Sequence, residues 1–213
     1  MTRSAAFDHL VVAAATLEEG EAYLEQRLGV RAQRGGRHAA MGTHNSLISL
    51  GSKRYIELIA IDPDASAPGR PRWFALDSAA MQSSLREAPR LIHWVARTDD
   101  IDAARQTMAV DTGAVHAMTR DAFAWRITVP DDGALPAAGV LPTLIQWADA
   151  RHPADALPNH GLRLLALAGA HPHPGVIRSA LAALGLGETI KVTYGAQPRL
   201  VAMVQTPRGP VTF

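Results

Sequence analysis

The strongest constraint in this chain is a repetition. The run FDHLVVAA (residues 7–14) sets His9 in an apolar stretch, and LIHWVA (residues 91–96) sets His93 in another, 84 residues later. The match extends past the histidines. At the same offset Leu17 falls on Ile101, and each follows a helix-start signal: Thr16 with Glu19, and Asp99 with Asp102, whose oxygens accept free N–H groups of a first helical turn. Leu17, Leu24 and Leu28 share one face of the first helix, which stops at Gly29; Ile101, Ala104 and Met108 share one face of the second, which stops before Gly113. Short apolar runs with turn signals between them follow each helix: RHAAMG, NSLISLG and RYIELIAID after the first, VHAMTR, AWRITVP and PTLIQWAD after the second. A strand, a helix and three strands therefore occur twice, over residues 1–61 and 91–150.

Residues 62–90 join the two units. PDASAPGRPR reads as a Pro/Gly-rich loop, and Trp73, Leu76, Met81 and Leu85 behind it as a short linking helix. The tail, residues 160–213, reads as a strand, a helix capped by Gly185 and two more strands, a third and shortened βαββ unit expected to extend an existing sheet edge within one domain.

Composition narrows the function classes. With 213 residues, 47% of them hydrophobic, the chain can bury a sizeable core. Its net charge of +1 comes from scattered single residues, so no polybasic stripe points to nucleic acid or an anionic membrane. The first apolar run is broken by Asp8 and His9 and then by EEGE, which fits neither a signal peptide nor a membrane span. A cytoplasmic protein with a small-molecule partner is expected. The absence of cysteine removes thiolate nucleophiles and Cys-ligated metals, so any metal must be held by histidine with carboxylate or amide oxygen.

The interrupting polar residues carry the chemistry. Glu57 lies inside YIELIAID and Gln146 inside TLIQWAD, each between apolar neighbours. Strand alternation sends Ile56, Leu58 and Ala60 to one face and Glu57 to the other, and sets Ile145 and Trp147 opposite Gln146. A face holding His9, Glu57, His93 and Gln146 would bury a carboxylate, which costs several kcal/mol unless paired. One divalent ion (Fe, Mn, Ni, Co or Zn) supplies the partner, with open positions for substrate. The competing reading makes each histidine a hydrogen-bonded interior residue and leaves the protein metal-free. In GGRHAAMGTHN, Arg37, His38 and Asn45 are candidates for orienting a substrate, although the glycines also suit a tight hairpin. Trp125 is a candidate cavity wall; Trp73, Trp94 and Trp147 read as core, and His152, His171 and His173, beside prolines, as surface-loop residues.

The doubled order, with FDHLVV…YIELIAID and LIHWVA…TLIQWAD, resembles the vicinal oxygen chelate superfamily over residues 6 to 150, and GGRHAAMGTHNSLISLG and IQWADARHPAD resemble its glyoxalase-like branch. The resemblance implies an α+β fold whose paired βαβββ modules form a cup-shaped mixed sheet around a metal. It places the ligands at His9, Glu57, His93 and Gln146, and implies lyase, isomerase or dioxygenase chemistry on a small oxygen-bearing metabolite, or ligand sequestration without metal. Homodimers are common in that superfamily and are a further expectation. Gln146 stands where such proteins commonly keep a glutamate that serves as base; an amide cannot take a proton at neutral pH, which leaves Glu57, or one of the free pocket histidines, as the expected catalytic base.

Overall fold

The computed structural model describes residues 5–213. The first module comprises β1 (Ala6–Ala13), α1 (Leu17–Leu28), β2 (Gln33–His38), β3 (Thr43–Ser49) and β4 (Tyr55–Ile61). The connector holds a 3-10 turn at Trp73–Ala75 and α2 (Ala79–Glu87). The second module comprises β5 (Arg90–Arg97), α3 (Ile101–Thr107), β6 (Ala114–Arg120), β7 (Phe123–Val129) and β8 (Thr143–Trp147). No helix among the described residues is long and apolar enough to cross a membrane.

The helix ends follow the local chemistry. Thr16 Oγ1 accepts from the Glu19 N–H at 3.2 Å, and Gly29 takes the left-handed conformation (φ 72°) that closes α1. At α3 the cap is Asp100 rather than Asp99, accepting from the Ala103 N–H at 3.1 Å.

The two modules share one eight-stranded sheet of order β2-β3-β4-β1-β5-β8-β7-β6. The first strands β1 and β5 meet antiparallel at its centre, and each runs parallel to the last strand of its own module, β4 and β8. The sheet curls until its outer strands approach: Arg120 at the end of β6 donates from Nη1 to His38 Nε2 at the end of β2, 3.3 Å away. Alternation along the strands divides the interior. Leu10, Val12, Ile56, Leu58, Trp94, Ala96 and Leu144 face outward to α1 and α3, whereas Val11, Ala13, Ile59, Val95, Ile127 and Ile145 face the hollow. Fully buried leucines such as Leu24 and Leu28 contribute about 1.5–3 kcal/mol each to holding α1 on the convex side.

The C-terminal unit contains β9 (Arg163–His171), α4 (Pro174–Ala183), β10 (Lys191–Tyr194), β11 (Arg199–Thr206) and β12 (Gly209–Thr212). It does not extend the main sheet, as the sequence pattern suggests, but forms a second one of order β10-β9-β11-β12. Here β10 lies parallel beside β9, whereas in the first module the strand after the helix goes to the outer edge. The reason is apolar patterning: Leu167, Ile177, Leu181, Val192, Ala202 and Val204 join the same convex-side core as Trp94 and Leu144, so the unit packs face-on.

Candidate active site in the cup

A small cavity lies in the hollow, walled by His9, His38, Tyr55, Glu57, Arg120 and an aromatic set of Trp73, Phe74, Trp125 and Trp147. Its volume is about 20 Å³, room for a water molecule or two.

Local backbone features aim the polar groups. Along β1, Phe7 pairs with Ala96 and His9 with Val95, so Asp8 is the extra residue of a β-bulge. A bulge re-aims a side chain that strict alternation would send elsewhere, and the fully buried Asp8 carboxylate is brought to the His9 ring. Asp8 Oδ1 accepts from His9 Nδ1 at 2.7 Å, and Oδ2 accepts from Trp147 Nε1 and His152 Nε2, each at 3.1 Å. Burial alone pushes this carboxyl up, but the hydrogen bonds from His152 and His9 more than reverse that and hold it well below the usual range. A carboxylate can only accept, so the Nδ1 hydrogen of His9 is fixed toward Asp8 and Nε2 faces the cavity. There it lies 3.6 Å from Glu57 Oε2. Tyr55 stacks on the imidazole at 4.4 Å between centroids. Burial, with Asp8 and Glu57 next, raises the Tyr55 phenol well above its ordinary value, so it stays protonated.

Glu57 is held from the opposite side. Asn45 donates from Nδ2 to Glu57 Oε1 at 2.6 Å, while its own Oδ1 accepts from the Gly36 N–H at 3.0 Å. A Cβ on Gly35 would stand 2.1 Å from Asn45 Oδ1, so glycine there admits the amide. His38 Nε2 sits 4.0 Å from Glu57 Oε1, and Nδ1 donates to Thr43 Oγ1 at 3.0 Å. Burial, then the Arg120 guanidinium, pushes His38 down to about 3 and keeps it neutral.

The structure thus gathers His9, His38, Asn45, Glu57 and Trp125 around one hollow, with Asn45 bound to Glu57. Other sequence candidates lie apart. Arg37 is exposed and pairs with Asp62 and Asp64 at 3.1 and 2.9 Å. His93 lies on the concave side but is sealed: Phe74 covers it at 5.4 Å, Nδ1 donates to Gly139 O at 3.3 Å, and Nε2 accepts from the Thr143 N–H at 3.0 Å. Burial pushes it down to about 3, against the Gly139 hydrogen bond, which raises it.

The expected face of Gln146 needs correction. Register across β7 and β8 pairs Trp125 with Trp147 and Ile127 with Ile145, and these four line the cavity. Gln146 therefore points to the helix side, where Oε1 accepts from the Ile101 N–H at 3.1 Å and Nε2 donates to Asp99 O at 2.9 Å. A one-residue slip in register exchanges every side chain between faces. The position equivalent to Glu57 is Thr143: β1–β4 pairs Val11 with Glu57, and β5–β8 pairs Val95, 84 residues after Val11, with Thr143.

These placements bear on a metal. Bonds of about 2.1 Å keep any two ligands of one ion within about 4.2 Å of each other. His9 Nε2 and Glu57 Oε2 meet that limit, and so do His38 Nε2 and Glu57 Oε1 at 4.0 Å. The quartet with His93 and Gln146 does not fit, because the His93 nitrogens are both engaged and Gln146 faces away. Among the described residues no group of three or more His, Cys, Asp or Glu is arranged to hold an ion.

Several site residues escape sequence reading. His152, read as a surface-loop residue, is buried against Asp8 because a short helical turn at Pro153–Ala156 folds it inward, with Nδ1 accepting from the Ala154 N–H at 3.2 Å. Tyr55, Trp73, Arg120 and Trp147 reach the cavity through register and sheet curl, which no local pattern announces.

The glyoxalase-like domain family matches residues 7–185. No curated protein matches. Among solved structures, a hypothetical protein from Staphylococcus aureus is similar over 98% of this chain and 84% of its own, at 15% identity and a TM-score of 0.56. A methylmalonyl-CoA epimerase from Mycobacterium tuberculosis is similar over 71% of this chain and 92% of its own, at 18% identity and a TM-score of 0.40. A methylmalonyl-CoA epimerase in complex with methylmalonyl-CoA and NH4+ is similar over 70% and 99%, at 17% identity and a TM-score of 0.42. With paired βαβββ modules curled around one hollow and the family matching most of its length, the chain belongs to the glyoxalase-like domain family.

Proposed function

We propose that the protein is a glyoxalase-like enzyme that moves a proton on a small oxygen-bearing metabolite, a lyase or isomerase reaction carried out in the cup. The observation that supports this reading is the His9–Glu57 pair, two proton acceptors 3.6 Å apart at the wall of one small cavity, each aimed by its own buried partner. Glu57 takes a proton from the carbon beside a carbonyl, and the C–H electron pair moves onto the carbonyl oxygen. The proton has a second acceptor in His9 Nε2, and the imidazolium so formed is paired with Asp8 through Nδ1. Returning the proton to a different face or atom completes the reaction. A positioned base of this kind contributes about 10²–10⁴-fold.

The test is deuterium exchange from solvent into a panel of small 2-oxo and 2-hydroxy compounds, followed by NMR, together with elemental analysis of the purified protein. Exchange by the wild-type chain that drops about 10²-fold or more in Glu57→Gln, with the fold intact, is the expected result. A wild-type chain that exchanges nothing yet retains a co-purifying small molecule overturns the enzyme reading and leaves a binding protein. The aromatic walls Trp73, Phe74, Trp125 and Trp147 are the feature that favours this second role.

A further inference from the structure

Arg120 brings into the hollow a positive charge whose ion-pair partner, Asp121, is distant and largely exposed. The arginine is 8% exposed, Nη1 donates to the neutral His38 ring at 3.3 Å, and Nε has no hydrogen-bond partner. Asp121 Oδ2 lies 4.0 Å from Nε, and that carboxylate is 72% exposed. Asp8 and Glu57 are committed elsewhere: Asp8 accepts from His9, His152 and Trp147, and Glu57 accepts from Asn45.

A second donor waits at the same cavity. Trp73, 3% exposed, has a buried Nε1 with no partner. The contrast with other tryptophans is informative: Trp94 donates to Val140 O at 2.9 Å and Trp147 to Asp8 Oδ2 at 3.1 Å. Buried N–H groups are normally satisfied, and two residues that wall one cavity each carry a buried donor without a partner, one of them cationic, which calls for an acceptor that arrives with the ligand.

From these groups we infer that Arg120 and Trp73 form a subsite for the carboxylate of a small monoanionic substrate, a short 2-oxo or 2-hydroxy acid. The inference rests on the reading of the cup as an active site and names its substrate class. The guanidinium fork offers paired N–H groups to a planar carboxylate, with the indole N–H available to its oxygens. Charge selects against alternatives: the buried Asp8 and Glu57 carboxylates oppose the higher charge of a phosphate dianion.

Binding can be read without turnover. Acetate, glycolate, acetamide and inorganic phosphate are titrated into the wild-type protein by calorimetry and tryptophan fluorescence. Acetate and glycolate are expected to bind saturably, with acetamide and phosphate at least tenfold weaker. Arg120→Lys should lose about tenfold of acetate affinity, Arg120→Gln at least thirtyfold, and Trp73→Phe three- to tenfold, each checked by circular dichroism. Equal binding of acetate and acetamide, no saturable acetate binding, or acetate affinity unchanged in Trp73→Phe and Arg120→Lys overturns the subsite. Should the arginine variants fail to fold, the wild-type comparison and Trp73→Phe still decide. Carboxylate binding without proton exchange removes the enzyme reading and keeps the subsite; exchange with indifference to the carboxylate does the reverse.

Discussion

His9 and His93 stand at equivalent points of the two modules and face the same concave side, yet their surroundings have opposite consequences. His9 has a buried carboxylate on Nδ1 and leaves Nε2 beside Glu57 in the cavity. His93 has Gly139 O on Nδ1, the Thr143 N–H on Nε2 and Phe74 over its ring. Where the first module has Glu57, the second has Thr143, a neutral group whose Oγ1 also lies 3.0 Å from the His93 ring. One half of a duplicated frame keeps its histidine available for chemistry, and the other uses its histidine as a fully bonded strut. A shared residue type at a shared position therefore specifies no shared role; the partners on the two ring nitrogens do.

This contrast can be broken or sharpened by experiment. The largest expected effect is on His9: His9→Ala should lower proton exchange about 10²–10⁴-fold, measured as initial rates on the substrate found by the exchange screen. A loss below tenfold would remove His9 from the reaction.

Next in size, His93→Ala should cost about 2–4 kcal/mol in denaturant unfolding, because it opens a cavity and strands the Thr143 N–H and Gly139 O, while activity per folded molecule stays within about threefold. Equal activity losses for His9→Ala and His93→Ala would erase the distinction.

A pH series probes the buried rings. His38 and His93 are held near 3 in the folded protein against an ordinary value of 6.5. Between those values the unfolded chain binds more protons, so stability is greatest above 6.5 and declines as pH falls toward 3, by about 1.4 kcal/mol per pH unit for each histidine. His93→Gln should flatten the slope of unfolding free energy against pH by one histidine's share; an unchanged slope would show that His93 is not held neutral.

The smallest effect belongs to Gln146. Gln146→Ala removes the acceptor of the Ile101 N–H at the start of α3 and should cost about 0.5–1 kcal/mol with exchange rates unaffected. A loss of activity comparable to Glu57→Gln would return Gln146 to the site.

The sequence by itself determined the elements and their duplication. Alternating apolar residues around His9, Glu57 and His93, the Thr16 and Gly29 signals that bound α1, and the 84-residue offset are local or periodic features, so the paired βαβββ order is legible without coordinates. Tertiary structure alone decided which of the marked side chains meet. The bulge at Asp8 brings that carboxylate to His9, and the β7–β8 register turns Gln146 outward and Ile145 inward. Closure of the sheet carries Arg120 from one module to His38 in the other. Each of these is a matter of register or curvature, set by pairing between strands far apart in the chain, and an alternation of two reads the same after a one-residue slip. The third unit shows the same division: its strands and helix are legible, but its docking on the convex core depends on which apolar face found a partner.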